Sequence, residues 1–198
     1  EGTLLELWKN DDQRIRARAL HLLARIKGAE KKYINLALAD KNSDIRITGI
    51  RIARERELDI IPFLKKMVND KDAGVRRACA IALRHNQSPE APALWTKLAQ
   101  QHDGKDRWYL EALGIALDKQ QDKFFSAWLE TVGSDWDTPT GRDIVWRSRS
   151  KKTSELLVKI LLNEKTKEEE KPRYIRALDF QSGPEKDAAL IKLIGAGS

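Results

Sequence analysis

A pattern that repeats every 30 residues is the feature of this sequence that most constrains its fold. Three segments align without gaps around the β-branched residues Ile15, Ile45 and Val75. Each of these residues has Asp or Asn five positions earlier and Arg immediately after it. A small residue follows four positions later, and an apolar pair follows seven and eight positions later. Internal repeats of this length are typical of arrays in which one supersecondary unit stacks on the next.

The spacing inside each copy predicts an α-helix. Positions 0, +4, +7 and +8 lie on one face of a helix, so each copy is expected to bury one apolar stripe. The small residues Ala19, Gly49 and Cys79 are expected to let a neighbouring helix approach closely. The preceding Asp or Asn is expected in the turn before the helix, where its side chain accepts hydrogen bonds from free backbone N–H groups.

A fourth copy follows at a step of 33 residues when Trp108 is placed at the β-branched position. The other positions of this copy are then filled by Asp103, Ala112, Ile115 and Ala116. This alignment predicts that Trp108 is a core residue. Trp108 and Tyr109 beside Arg107 are also suited to stacking on a sugar or a base, and we favour the packing role.

A second apolar segment precedes each regular copy and predicts a first helix for each unit. These predicted first helices cover residues 30–39, 58–68 and 91–101. Two helices of this length do not bury their apolar faces alone, so the units must stack. Helix pairs that stack in one dimension form an α-solenoid. The sequence therefore predicts an all-α fold, a right-handed superhelix of about six two-helix repeats.

The copies resemble the second helix of HEAT repeats, in the pattern Asp-x-Asp-x-x-(Val/Ile)-Arg-x-x-Ala. Residues 70–78 match it most fully, whereas Asn42 replaces the inner Asp in the second copy. In that family the Asp and the Arg form a ladder between adjacent repeats. The resemblance implies a ladder formed by Asp40, Asp70, Arg16, Arg46 and Arg76. A phosphate-binding stripe is the alternative role for these arginines, and Tyr109 stands where the fourth copy should have one.

The repeat pattern loosens after residue 118. A polar loop at residues 133–141 interrupts it, and further helices are predicted over residues 142–149, 153–163, 173–181 and 185–194. The last two are predicted to form the final helix pair. We therefore expect one domain over residues 1–198, with regular repeats to about residue 118, degenerate repeats over 119–194 and a frayed end at 195–198.

Aromatic and arginine residues cluster around this polar loop. Such residues dominate the energetic centres of protein–protein interfaces. The predicted interaction surface consists of Trp136, Arg142, Trp146, Arg147 and Arg149. Simple packing of an irregular repeat is the alternative explanation for them.

Three segments of the chain resemble the HEAT region of large bacterial proteins often labelled membrane-bound dehydrogenases. The segments are residues 103–114, 141–148 and 173–180. Those proteins join a sugar-dehydrogenase-like β-propeller to HEAT repeats and a c-type haem-binding domain. The resemblance implies a module of an exported, periplasmic redox protein. The haem-attachment motif CxxCH is absent from these 198 residues, so a haem domain would lie outside them.

Composition and motifs argue against several functional classes. The single cysteine, Cys79, cannot form an internal disulfide or a CxxC pair, and the three histidines lack metal-binding spacing. No apolar run reaches the roughly 18–20 residues that a membrane span requires. The sequence shows no nucleophile–base pair and no phosphate-binding glycine loop. We therefore expect no catalytic residues, no metal and no cofactor.

The charge balance permits an acidic partner. The chain carries 37 Lys and Arg against 30 Asp and Glu, a formal net charge of +7. The two signs are interspersed, whereas a surface that follows phosphates has denser basic clusters. We predict a non-catalytic protein-interaction or spacer scaffold, with a basic HEAT-like nucleic-acid-binding module as the alternative. Because the sequence begins without Met, we also expect a fragment or a processed chain.

Overall fold

The computed structural model describes residues 1–196, which form thirteen α-helices, one short 3₁₀ turn at Gly133–Asp137 and no strand. The helices alternate along the chain between two layers. The first layer contains α1 Gly2–Trp8, α3 Glu30–Leu38, α5 Ile61–Met67, α7 Ala91–Ala99, α9 Gln121–Val132, α11 Thr153–Leu162 and α13 Pro184–Ala196. The second layer contains α2 Gln13–Leu23, α4 Ser43–Glu55, α6 Ala73–Ala82, α8 Arg107–Ala116, α10 Pro139–Arg147 and α12 Lys171–Leu178.

The main contacts run between helices of the same unit or of adjacent units, so the array is built in one dimension. The second-layer helices touch in succession from α2 to α12, and first-layer helices touch from α3 to α9 and again at α11 and α13. This arrangement is a helical repeat solenoid of six two-helix units, with α13 packed on α11. The predicted all-α solenoid is confirmed. None of the helices within residues 1–196 has the length and apolar character needed to cross a bilayer.

Short polar side chains determine where the second-layer helices begin. Asp72 caps α6, and its Oδ1 accepts hydrogen bonds from the N–H groups of Gly74 at 2.8 Å and Val75 at 3.2 Å. Asn42 caps α4 in the same way. Two residues before the α6 cap, Asp70 Oδ1 accepts a hydrogen bond from the Asp72 N–H at 2.9 Å. The predicted role of the Asp or Asn in each turn is therefore confirmed.

The predicted apolar stripe forms the core between the two layers. Ile45 and Val75 are 1% and 0% exposed, while Ile15, in the first unit, is half-buried. Gly49 allows α4 to approach α3, because a Cβ atom at this position would lie 3.0 Å from Ala37 Cβ. The predicted need for a small residue at this position is explained by that close approach.

The fourth copy is shifted by one residue from its predicted register, and the expectation that Trp108 lies in the core is wrong. Trp108 is 70% exposed, whereas Tyr109 is 2% exposed. The cause is the start of α8, because Asp106 caps this helix and the third residue after each cap enters the core. The step from Val75 to Tyr109 is therefore 34 residues. The Tyr109 hydroxyl donates a hydrogen bond to the Leu98 carbonyl at 2.9 Å.

The C-terminal third keeps the two-layer order although its sequence pattern is loose. The predicted final pair, residues 173–181 with 185–194, is wrong, because α12 pairs with α11 and α13 packs mainly on α11 as a further first-layer helix. Of the predicted frayed end, residues 195 and 196 belong to α13. Residues 197 and 198 lie outside the described part of the chain.

Candidate interaction surface

The arginine column predicted from the repeats joins each second-layer helix to the turn that follows in the stack. Arg46 Nε and Nη2 donate to the two carboxylate oxygens of Asp70, both at 2.8 Å. Both side chains are less than 10% exposed. Arg16 forms the corresponding ion pair with Asp40. These arginines are held inside the stack, so they are not available to bind phosphate.

Hydrogen bonding offsets the effect of burial on the Asp70 carboxyl. Burial alone raises the pKa of Asp70, but the hydrogen bonds from Arg46 and from the Asp72 N–H bring the pKa below its ordinary value of 3.8. The same pairing raises the pKa of Arg46. Both groups are therefore charged in the folded protein at neutral pH.

The third arginine of the column has an aromatic partner in place of a carboxylate. Arg76 Nη1 donates to the carbonyls of Asp70 and Lys71, and its guanidinium lies 5.5 Å from the centre of the Tyr109 ring. The acid at the corresponding position, Asp103, accepts hydrogen bonds from N–H groups of its own turn. The ladder of ion pairs therefore stops at the junction between α6 and α8.

Arg142, one of the predicted interaction residues, occupies a ladder position. Its Nη1 donates to Thr166 Oγ1 at 2.9 Å, and its Nε donates to Asp137 Oδ1 at 2.7 Å. Thr166 lies 24 residues after Arg142, the separation that also joins Arg46 to Asp70. Arg142 thus stabilises the junction of the last two units.

Two other predicted interaction residues face inward. Arg149 Nη1 donates to the Trp146 and Ser148 carbonyls, and its guanidinium lies 4.7 Å from the centre of the Phe180 ring. Burial, followed by the nearby positive charge of Arg147, lowers the pKa of Arg149. Trp136, in the 3₁₀ turn, is half-buried and packs against the core.

The remaining two, Trp146 and Arg147, are half-buried on α10, and Trp146 packs against the core. The Arg173 guanidinium lies 4.5 Å from the centre of the Trp146 ring. Arg147 Nε donates to Glu111 Oε2 on α8 at 2.9 Å. The five predicted residues therefore do not form one patch, and their role in binding stays a prediction.

The side of the second-layer helices that carries exposed and half-buried arginine and tryptophan side chains forms a surface of which the sequence predicted only Trp146 and Arg147. We call it the second-helix face. It is rich in arginine and also carries tryptophan. Its residues are Arg14, Arg18, Arg51, Arg54, Arg77, Arg84, Arg107, Trp108, Trp146 and Arg147. Arg18, Arg51 and Arg54 form no ion pair with any residue in the described part of the chain.

A groove between α4 and α6 lies within this face, with a volume of about 460 Å³. Its apolar lining comes from Ile47, Ala78 and Ile81, which are half-buried and pack against the core. The exposed side chains of Arg51 and Arg54 also line it. The groove therefore combines an apolar base with a basic rim.

Trp108 lies on the next helix along the same face. Beside it, Arg107 is 80% exposed at its side chain and lies 3.9 Å from Glu111. The apolar side chain of Ile115, two turns further along α8, is 39% exposed. The sequence does contain a signal that Trp108 is exposed. Asp106 precedes Tyr109 by the same three residues that separate Asp72 from Val75, which places Tyr109, and not Trp108, in the core.

Comparison with known families agrees with this architecture. Residues 30–114 match the family model of HEAT repeats. The matched segment runs from α3 into α8 and contains the groove. The HEAT repeat family is typically a non-catalytic scaffold, and its repeats commonly mediate protein interactions. A search of curated proteins found no match for the chain.

Proposed function

We propose that this chain is a protein-interaction scaffold and that its second-helix face binds the partner. The exposure of Trp108 is the observation that carries this proposal. Trp108 is 70% exposed, whereas the other five tryptophans are buried or half-buried. Tryptophan and arginine are the residues most enriched at the energetic centres of protein interfaces. An exposed Trp between arginines on an extended repeat surface is therefore suited to docking a protein.

Uncompensated charge on the same face favours an acidic partner. Arg18, Arg51 and Arg54 hold no ion pair within residues 1–196, so their charges are directed only to solvent. Complementary charge steers partners together and suppresses wrong ones. A partner surface with several Asp or Glu residues matches this pattern.

The same charges support a nucleic-acid partner less well. Arg14 and Arg84 are already paired with Asp12 and Asp118. A surface that binds a nucleic-acid backbone needs a longer run of free cations, because affinity grows with the number of phosphates neutralised. We therefore propose a protein partner, and nucleic acid becomes an outcome of the test.

Site-specific crosslinking tests the proposal. A photoreactive amino acid is placed at Trp108, and in a control chain at Lys97, which is exposed on the first-layer helix α7. We expect a protein adduct in cells from position 108 and none from position 97. Equal adducts from both positions would contradict the proposal. Duplex DNA binding that weakens steeply with salt would favour the nucleic-acid alternative.

We also propose that this module belongs to a larger exported redox protein located in the periplasm. The support is the resemblance of residues 103–114, 141–148 and 173–180 to the HEAT region of the dehydrogenase-like proteins. Sequencing the gene on both sides of this segment tests the idea. A β-propeller and a CxxCH-containing domain in the same reading frame are expected. A frame that encodes neither would contradict the proposal.

A further inference from the structure

We propose that the groove between α4 and α6 binds an acidic segment of the partner in which one apolar side chain is flanked by Asp or Glu. This inference rests on the proposed function, since the groove lies within the second-helix face. It adds the chemical class of the bound segment and the residues that recognise it.

The base of the groove is suited to one apolar side chain. Ile47, Ala78 and Ile81 supply an apolar lining, and the volume of about 460 Å³, within the roughly 300–1,000 Å³ of ligand pockets, has room for an apolar side chain and part of the segment that carries it. Gly74 contributes no side chain to the wall. A Cβ atom at Gly74 would lie 3.4 Å from Ile47 Cδ1, so a side chain there would narrow the groove where the two helices meet.

The rim of the groove is suited to carboxylates. Arg51 and Arg54 are three residues apart on α4, exposed, and without an ion pair in the described residues. Arg77, on the opposite wall, lies 3.5 Å from its partner Asp106, at the outer limit of a hydrogen bond. Glu55 is the only acidic residue among those that line the groove. Guanidinium groups bind carboxylates through two parallel hydrogen bonds, so the excess of arginine selects Asp or Glu.

The combination of an apolar base with few free cations favours a peptide over a nucleic acid. A nucleic-acid backbone has no apolar group to pack on Ile47 and Ile81. These side chains would stay exposed to water or be covered by polar groups. Beyond the groove, Arg14 is bound to Asp12 and Arg84 to Asp118, so within residues 1–196 the unpaired arginines of this face are confined to α2 and α4. An acidic segment with one apolar side chain satisfies both the base and the rim.

Binding of a defined peptide to the full chain tests the inference. The probe is a short fluorescein-labelled peptide with one Leu between runs of Glu, followed by fluorescence anisotropy at low salt. Two control peptides replace the Glu residues by Gln, or the Leu by Gly. We expect each control peptide to bind at least about tenfold more weakly, which corresponds to roughly 1.4 kcal/mol.

Matched variants locate the binding site. We expect the double variant Arg51→Glu/Arg54→Glu to weaken binding of the acidic peptide by about tenfold or more. The double variant Lys97→Glu/Lys123→Glu makes the same change in net charge on exposed first-layer positions and should leave the Kd within about twofold. Ala78→Phe, which fills the base without changing charge, should also weaken binding. Circular dichroism of each variant checks that the fold is kept.

The outcomes separate this inference from the proposed function. If the wild-type chain does not bind the acidic peptide, or if the Arg51/Arg54 variant binds it normally, the groove is not the recognition site. Crosslinking at Trp108 is independent of the groove, so a specific adduct there would leave the scaffold proposal intact. If duplex DNA binds more tightly than the peptide and the Arg51/Arg54 variant abolishes it, both proposals are wrong.

Discussion

The Arg46 guanidinium and the Asp70 carboxylate form two parallel 2.8 Å hydrogen bonds that join α4 to the turn before α6. Both groups are buried, so removing one leaves the other charged and unpaired in the stack. We expect Asp70→Ala to reduce the free energy of unfolding by about 3–5 kcal/mol. Urea denaturation followed by circular dichroism at neutral pH measures this loss.

The control for this pair is an exposed acid nearby. The Asp44 carboxylate forms no ion pair in residues 1–196, so Asp44→Ala should change stability by no more than about 0.5 kcal/mol. The double variant Arg46→Ala/Asp70→Ala should lose less than the sum of the two single losses, because no unpaired charge remains. Additive losses would show that the two residues act independently.

Low pH should reduce the free energy of unfolding by protonating the carboxyl groups of Asp70 and Asp143. Burial raises the pKa of Asp143, but hydrogen bonds with His102 and Arg173 bring it below its ordinary value of 3.8, as at Asp70. A lowered folded-state pKa means that the unfolded chain binds protons first as pH falls. The stabilisation is therefore present above the ordinary value and is lost as pH falls through the folded value.

The measurement is the free energy of unfolding as a function of pH below about 4, where the ordinary carboxyl pKa lies. Asp70→Asn removes one of the two carboxyls, so its stability should start lower and fall less steeply with acid. An identical slope in the variant and the wild-type chain would mean that Asp70 does not contribute to acid denaturation.

Truncating two adjacent aromatic residues on α8 should change the free energy of unfolding by very different amounts. Tyr109→Ala removes a buried ring and the donor to the Leu98 carbonyl, and we expect a loss of about 3–5 kcal/mol. Trp108→Ala removes a side chain that is 70% exposed, and we expect a change within about 0.5 kcal/mol. Thermal melting of the two variants measures the difference. Equal losses would show that Trp108 packs in the core after all.

The register error at α8 shows what the repeat pattern can and cannot determine. The copies around Ile45 and Val75 both have their turn acid two residues before the helix cap, so a fixed spacing finds their core residues. The turn before α8 is longer, and its acid, Asp103, lies three residues before the cap Asp106, so the same count from the acid ends one residue short of the core position. The helix start is determined by the capping hydrogen bond of Asp106, so caps locate the core better than counting does.

The candidate site was harder to predict than the fold. Arg142 has the position of a ladder arginine, but the residue at the partner position is Thr166 and not Asp. The Asp–Arg pattern in the sequence therefore does not reveal this pair. The groove depends on which side chains of α4 and α6 remain outside the core, and this follows from the packing of two units. A repeat pattern identifies buried positions, whereas charged positions such as Arg51 are free to vary from copy to copy.

Cys79 should not react with thiol reagents until its repeat unit unfolds. Its side chain is fully buried in α6, and burial raises the pKa of its thiol to about 12. The thiolate is the reactive species, so a disulfide-forming reagent such as DTNB should not label the folded chain near neutral pH. Labelling should appear in urea together with loss of helicity. Because the sequence has one cysteine, rapid labelling of the folded chain would contradict the burial directly.

Two glycines in the second layer should tolerate alanine differently. A Cβ atom at Gly141 would lie 2.5 Å from the Trp136 carbonyl oxygen, which belongs to the backbone and cannot turn away. We expect Gly141→Ala to cost about 1–3 kcal/mol although alanine favours helices. The three atoms nearest to a Cβ atom at Gly114 all belong to the guanidinium of Arg147, the closest at 2.3 Å, and this flexible side chain can move.

Gly114→Ala should therefore leave the free energy of unfolding within about 1 kcal/mol of the wild-type value, because the helical preference of alanine offsets the displaced Arg147 contact. Urea denaturation of both variants provides the comparison. A larger loss for Gly114→Ala than for Gly141→Ala would reverse the expected order.

The longer turn before α8 has a consequence for how such a protein changes over time. Contacts run only between neighbouring units, so extra residues in one turn rotate the start of one helix and leave distant units undisturbed. In α8 the second residue after the cap, Trp108, lies outside, and the third, Tyr109, fills the core. An insertion of a few codons in a single turn can thus change which side chains of one helix are exposed without rebuilding the rest of the array.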